Sequence, residues 1–217
     1  LDDRLKDYNL TLVTPPVIEP VSLIDIKTYL RLDDIADIVE DTYISLLISV
    51  AREYCEDVQH RAYITQTWEM ALQGFPFYGS DPMDNNVRGS IIEIPKGKLQ
   101  TINSITYKDT QGVITTLTPE VDYVVSNRGI IGRVSPPFGQ VFPLAILYPL
   151  DPVVINFTCG YGDDATKLPA KVIQAMYMLV AHWHENRMVV NDLRGVVPDE
   201  IAFTVTSLLS KDRIPLV

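Results

Sequence analysis

The only stretch of the chain with the residue types of a metal site is His182-Trp183-His184-Glu185. Two histidines and a carboxylate are the donors of a hydrolytic zinc centre, where the metal lowers the pKa of a bound water. The spacing argues against that chemistry. On a helix, residues two apart point about 200° away from each other, whereas a zinc-binding helix sets its pair at i and i+4. The remaining histidine, His60, would have to be brought in from elsewhere. The residues therefore predict a structural role, two histidines packing or capping at a helix end, where the macrodipole favours positive charge. A small metal-dependent hydrolase using His182 or His184 is the enzyme alternative. A β-rich ligand-binding module is the other.

Gly160-Tyr161-Gly162-Asp163-Asp164 has the glycines of a phosphate loop but not its lysine, and Leu168-Pro169 opens the next helix where Gly-Lys would be needed. It reads as a tight exit from strand to helix, where glycine permits positive φ. The paired carboxylates Asp33-Asp34 and Asp163-Asp164 fall at expected helix N-termini, where acids are favoured without any catalytic duty. There is no nucleophile elbow, no CxxC pair and no kinase catalytic-loop motif. Cys55 and Cys159 have apolar neighbours and are expected as buried free thiols. The expectation is a chain that is not an enzyme, with no catalytic residue, no metal and no cofactor.

The elements that would position these residues run helix, strands, helix. Residues 1–21 carry Pro15, Pro16 and Pro20, which forbid a helix and predict an extended arm. Ser22 is a candidate N-cap, with Asp25 at the third position, for a helix of about three turns over Leu23, Ile26, Tyr29 and Leu30. A longer helix is predicted from about Asp37 to His60, its buried stripe being Tyr43, Leu47, Val50, Ala51, Tyr54 and Val58. Leu46 and Ile48 lie off that stripe and predict a second buried face. Glu40, Asp41, Glu53, Glu56 and Asp57 mark the wet side.

From Ile64 the period changes to two. Strands are predicted at 65–72, 91–94, 102–108, 113–117, 123–125, 129–134 and 153–157, with a turn at Asp109-Thr110-Gln111-Gly112 and a polar loop over 77–90. Helix returns with Pro169 at its first position and Val172, Met176, Leu179, Val180 and Trp183 on its buried face. A last amphipathic helix is predicted over 199–209, with Ile201, Val205, Leu208 and Leu209 on one face. The fold class is therefore α+β, a helical bundle with an antiparallel β-domain inserted between the long N-terminal helix and the C-terminal helices. The expected division is an arm at 1–21, a bundle at 22–63 plus 164–198, a β-domain at 64–163 and a docking helix and tail at 199–217.

Of the 217 residues, 47% are apolar and 21% charged, which excludes a disordered chain. Eighteen Lys and Arg against 28 Asp and Glu give a net charge of −10. That sign opposes tight DNA binding, which works by cationic neutralisation of phosphates. No apolar run reaches the length of a membrane span and no secretory signal is seen, so neither membrane insertion nor export is expected. Between Asp33 and Asp57 stand eight acids and one cation, Arg52. Such a surface is a solvated face, or else one that repels a polyanion or meets a basic partner.

The order of several short segments carries a resemblance. Leu12-Val13-Thr14-Pro15-Pro16 leads to Glu19-Pro20-Val21-Ser22-Leu23 and Lys27-Thr28-Tyr29-Leu30-Arg31-Leu32-Asp33. Then come Ala51-Arg52-Glu53-Tyr54-Cys55-Glu56, Thr65-Gln66-Thr67-Trp68, Gly160-Tyr161-Gly162 and His182-Trp183-His184-Glu185-Asn186-Arg187. In this order they resemble the head–tail connector (adaptor, or head-completion) family of tailed bacteriophages, prophages and gene-transfer agents, over roughly Leu10 to Leu209.

The resemblance implies a structural subunit of the virion, assembled in the bacterial cytoplasm. It implies a ring, usually of twelve copies, beneath the portal protein. The ring extends the DNA channel without binding DNA specifically and docks a tail-side connector or stopper protein. On that reading Pro15, Pro16, Leu46 and Ile48 are expected at the subunit interface. Asp33, Asp34, Asp37, Glu40 and Asp41 are expected to border the channel, and Ile201, Val205, Leu208, Leu209 and Arg213 to dock on the portal.

Overall fold

The computed structural model describes residues 8–32, 38–76, 91–187 and 199–214. The fold is mixed α+β, with antiparallel sheets inserted between two packed helices. The chain divides into two compact units and passes between them at Pro15/Pro16, Ile64/Thr65 and Gly160/Tyr161.

In the β unit, strands β1 (Tyr8–Thr14), β2 (Gln66–Leu72), β8 (Val153–Cys159), β4 (Leu99–Lys108) and β5 (Ile114–Thr116) form one sheet in that spatial order. Strands β3 (Ile92–Ile94), β7 (Gly132–Ser135) and β6 (Val124–Ser126) form a second sheet. Both are antiparallel throughout. β8 shows why the period is two: Val153, Ile155, Phe157 and Cys159 are buried, and the residues between them are half-buried. Ile155 pairs with Met70 on β2 and Ile105 on β4, so three adjacent strands bury one apolar row. The opposite face is a polar ladder in which Asn103 Nδ2 donates to Asn156 Oδ1 (2.7 Å) and Asn156 Nδ2 to Glu69 Oε1 (3.1 Å). The small sheet sits close to the large one at Gly132, where a Cβ would lie 2.5 Å from Leu99 Cβ.

Within the segment expected to be extended, the first strand is paired. Tyr8–Thr14 pairs with β2 along its length, from Tyr8 opposite Leu72 to Thr14 opposite Thr67. Prolines forbid a helix, but before Pro15 nothing forbids a ladder, and alternating Leu10 and Leu12 fit one.

The helical unit contains α1 (Leu23–Leu30), α2 (Ile38–Gln59), α3 (Ala170–Glu185) and α4 (Asp199–Ser210). Ser22 caps α1 as expected: its Oγ accepts the Asp25 amide (3.1 Å) and donates to the Asp25 carboxylate (2.6 Å). The helix is shorter than three turns because Arg31 turns left-handed (φ 56) and closes it with bonds to the Lys27 and Thr28 carbonyls. Pro169 is the N-cap of α3, one place before its expected position.

The buried stripe of α2 is Ile44, Leu47, Ile48, Ala51 and Cys55, rotated from the expected one. Val50 and Tyr54 are exposed, and Glu56, assigned to the wet side, is buried. The reason is that α2 carries apolar residues on two faces, and three- and four-residue spacing fits either. This stripe meets Val172, Ala175, Met176, Leu179 and Val180 of α3 and Val205 and Leu209 of α4 in one core.

Candidate functional site

A chain of polar groups runs through the helical core. Glu19, between the prolines, accepts from Ser49 Oγ (2.8 Å) and from Arg52 Nε (2.9 Å). Arg52 Nη1 donates to Glu56 (3.0 Å), and the other Glu56 oxygen accepts the Tyr63 amide (2.8 Å). Tyr63 OH donates to Gln59 Oε1 (2.8 Å), and Gln59 Nε2 donates to the Leu209 carbonyl (2.8 Å). The linker before α1, the last turns of α2 and the end of α4 are thus joined through satisfied buried groups. Burial opposes charge on Arg52, but the Glu19 and Glu56 carboxylates outweigh it and raise its pKa. The signal for this network was the i,i+4 spacing of Arg52 and Glu56, which a wet-side reading passed over.

The thiols sit in surroundings that suppress reactivity. Burial, then the Glu56 charge, pushes Cys55 up to about 12, and burial likewise raises Tyr63. Cys55 and Cys159 are both buried and form no disulfide. The thiolate is the nucleophile, and Cys55 has essentially none at neutral pH.

The two histidines go to different partners. The Asn186 side-chain amide lies 3.2 Å from His182 Nδ1 and donates to the His182 carbonyl (2.9 Å) at the helix C-cap. His184 Nε2 lies 2.5 Å from Glu40 Oε1 on α2, and Arg187 pairs with the same carboxylate while resting over the Tyr43 ring. No group of three His, Cys, Asp or Glu side chains placed to hold a metal occurs among the described residues. The Gly160-Tyr161-Gly162 turn takes φ of 125° and 124° at its glycines, the geometry of a strand exit. Asp164 caps the short 3-10 turn Ala165–Lys167 by accepting from the Thr166 amide (2.9 Å) and hydroxyl (2.7 Å). Those bonds hold its carboxyl below the usual carboxylate range.

The residues expected to meet partners separate into distinct groups. Leu46 is 59% exposed, whereas Ile48 is 3% exposed and belongs to the subunit's own core. The expectation for Ile48 is therefore corrected: the second face of α2 is the inner one. Val205 and Leu209 are likewise fully buried in that core, so they are not a free docking face. The α4 helix folds back on its own bundle because three turns of amphipathic helix need a partner and α2 and α3 supply one. Leu208 packs partly against the same core, and the Ile201 side chain lies outside the described residues. Arg213 reaches His60 Nε2 (3.2 Å).

Pro15 is exposed and Pro16 half-buried. Asp33, Asp34 and Asp37 lie outside the described residues. Glu40 is committed to His184 and Arg187, and Asp41 to the buried Lys27.

Among the described residues, two stretches of exposed apolar side chains stand out. On α2, Val39, Leu46, Val50 and Tyr54 are exposed and fall within an arc of about 80° on a helix of 3.6 residues per turn. The T-shaped contact of Tyr54 with Trp183 (6.1 Å) and the bond from Tyr43 OH to the Trp183 carbonyl (3.3 Å) extend this surface to α3. In the β unit, residues 136–150 contain no charged residue, and Phe138, Val141, Leu144, Ile146 and Leu150 are all well exposed. The segment is held in place by buried Phe142, which stacks on Phe75 (4.9 Å), and by the Tyr148 amide bonded to the Lys108 carbonyl (3.0 Å). The signal for it was the missing charge across the whole proline-rich stretch. Exposed apolar patches of this kind mark interaction surfaces.

Solved structures share this fold. A chain in the neck of an empty gene transfer agent (GTA) particle, computed with C6 symmetry, superposes with a TM-score of 0.72 at 21% identity, covering 96% of this chain and 97% of that one. A chain in the virion of a native GTA particle gives 0.71 at 21% identity, with 96% of each chain covered. A chain in the neck of a native GTA particle, computed with C12 symmetry, gives 0.61 at 20% identity, covering 96% and 97%. No protein-family profile matches the sequence, and no curated protein matches it either.

Proposed function

We propose that the chain is a structural subunit of a virion neck, a head–tail connector (adaptor) that forms a ring below the portal. The observation that carries this reading is the shared fold with chains of GTA necks over nearly the whole of both chains. The apolar surfaces support it, because a subunit of a closed ring must present surface to two neighbours. So does the acidic excess: a ring that passes DNA without holding it gains from repelling phosphate at short range.

In this reading the ring, of twelve copies, extends the DNA channel, contacts the portal on one side and a tail-side stopper on the other, and acts without turnover or cofactor. Leu46, with Pro15 and Pro16 where the chain passes between units, lies at the subunit contact. Asp33, Asp34 and Asp37 border the channel, while Glu40 and Asp41 are held in ion pairs within the bundle. Arg213 and the exposed side of α4 face the portal. The test is removal of the chain from the particles that carry it. Heads that package DNA but lack tails are expected, and restoring the chain in trans restores tails; fully tailed particles without it would overturn the reading.

A further inference from the structure

We infer that the C-terminal end of α4, with the first turn of α3, is a docking site for a short acidic segment of a partner protein; that the partner is the portal rests on the reading above. Three helix ends meet there. α2 closes in a left-handed residue, His60 (φ 55), and the Arg61 amide bonds back to the Glu56 carbonyl (3.1 Å). The Ile214 amide bonds to the Gln59 carbonyl (3.0 Å), which ties the residues after α4 to that end of α2. Asp212 pairs with Lys171, in the first turn of α3.

α3 begins without an anion of its own. Pro169 makes no side-chain capping bond and no acid stands in the first turn, so the positive end of a 16-residue helix is left to other groups. Arg61 adds a full charge. It is 5% exposed, and its guanidinium makes one hydrogen bond, from Nη1 to the Tyr161 hydroxyl (2.6 Å). Nε and Nη2 are closed to solvent and without a partner among the described residues. A buried cation matched only to a neutral hydroxyl costs stability. Its charge needs no contact to act, because burial weakens screening. Asp212 feels it: Lys171 holds that carboxyl low through their bond, and the charges of Arg61 and Lys211 add to the effect. Exposed Arg213 follows, bonded to His60 Nε2 (3.2 Å).

Four cations thus gather about one carboxylate, in a unit where acids outnumber cations seventeen to ten. Of the other acids near these helix ends, Glu56 is taken up by Arg52 and the Tyr63 amide, and Asp164 by Thr166 and the charge of Lys167. Asp57 near the end of α2 and Asp163 ahead of α3 are exposed, and limit how far the positive surface extends. The ligand that suits such a spot is a pair of carboxylates on a peptide. A nucleic-acid strand, with a phosphate about every 3.4 Å, would run on into those acids. In the docked state one partner carboxylate takes Lys211 and Arg213, and another shares Lys171 with Asp212.

The experiment titrates the full chain at low salt with hexaglutamate, blocked at both ends, and follows amide shifts by NMR. Saturable binding is expected, with the shifts centred on Lys171 and residues 209–214. Lys211→Glu combined with Arg213→Glu should weaken it about tenfold. Arg128→Glu, which alters an exposed cation of the β unit, should leave it unchanged. Asp212→Asn should tighten binding about threefold, because it removes the internal competitor. Arg61→Met should weaken binding about threefold, with the melting temperature unchanged or higher, since it removes a buried charge paired only with a hydroxyl.

The inference is overturned if hexaglutamate does not bind at millimolar concentration, or if Arg128→Glu weakens binding as much as the double variant does. It is overturned equally if Asp212→Asn fails to tighten binding, if Arg61→Met leaves it unchanged, or if Arg61→Met melts well below the unaltered chain. Stronger binding of hexathymidylate, lost in the same variants, would make the site one for nucleic acid and overturn it too. A chain located in necks that binds no hexaglutamate refutes the site alone. Binding by a chain absent from necks refutes the neck reading alone.

Discussion

Among the described residues, five of the six buried polar or charged side chains (Lys27, Arg52, Glu56, Gln59 and Arg61) lie in the helical unit, and only Gln66 lies in the β unit. The exposed large apolar side chains lean the other way, with the longest run of them over Phe138 to Leu150 in the β unit. Net charge follows the same division: seventeen acids against ten cations in the helical unit, eleven against eight in the β unit. The helical unit places polar groups inside, where the bonded ones, Arg52, Glu56 and Gln59, fix one arrangement. The β unit is specified by strand alternation and leaves apolar surface for something else to cover. One unit carries its polar groups inside, the other its apolar side chains outside.

The comparison is most open to attack at Arg52. Its side chain is 8% exposed and bridges Glu19 and Glu56. Arg52→Ala leaves the buried Glu56 carboxylate without its cation, which should cost about 3–5 kcal/mol. The loss should be local. Urea unfolding followed by hydrogen exchange should show α2 amides losing protection while those of β8 keep it. Glu56→Gln, which preserves an acceptor for the Tyr63 amide, should cost less. Equal loss of protection in both units would show that the polar chain does not specify the helical unit in particular.

The β unit has its own pressure point, and it is steric. Gly132 is chosen for closeness: a Cβ there would meet Leu99 Cβ and Cδ2 at 2.5 Å. Leu99 Cβ is fixed next to the backbone and cannot swing away, so Gly132→Ala should destabilise the β unit by about 1–3 kcal/mol through overpacking. Thermal unfolding measures it. Adding Leu99→Ala should recover part of that loss as positive coupling in a double-mutant cycle. Simple additivity would mean that the two sheets are not in tight contact at this point.

How much of this was legible in the sequence follows from what periodicity encodes. The α+β class and the insertion of strands between α2 and α3 were readable because a change of period from 3.6 to 2 is a backbone property. Which face of α2 is inside was not. Val50 and Tyr54 fit helical spacing as well as Ile44, Ile48 and Cys55 do, and only α3 and α4 decide between them. The destination of α4 was missed for the same reason, since amphipathicity says that a face is covered but not by what. Arg52 and Glu56 were read as surface because charge predicts exposure unless a partner is known, and Glu19 lies far away in sequence. The interface candidates fared unevenly on the same principle: Leu46 and Ile48 are two residues apart, so one must face out when the other faces in.

The smallest effect expected tests how the C-terminal end of α4 is held. Lys171 pairs with Asp212, and the Ile214 amide donates to the Gln59 carbonyl (3.0 Å), so the residues after α4 lie along α2 and the start of α3. The bond from Lys171, aided by nearby cations, holds the Asp212 carboxyl below its ordinary value of 3.8. A carboxyl depressed in the folded chain binds its proton more tightly when unfolded, so its contribution is complete above the ordinary value and fades as pH falls through the folded one. Both side chains are partly open to solvent, which keeps the effect small. The protection of the Ile214 amide, relative to its intrinsic exchange rate at each pH, should therefore fall on acidification below about pH 4 in the unaltered chain. In Asp212→Asn that acid-dependent step should be absent, with exchange already faster at neutral pH. If both chains show the same acid dependence, the ion pair does not hold this end, and the anchoring falls to Gln59 and the buried Leu209 alone.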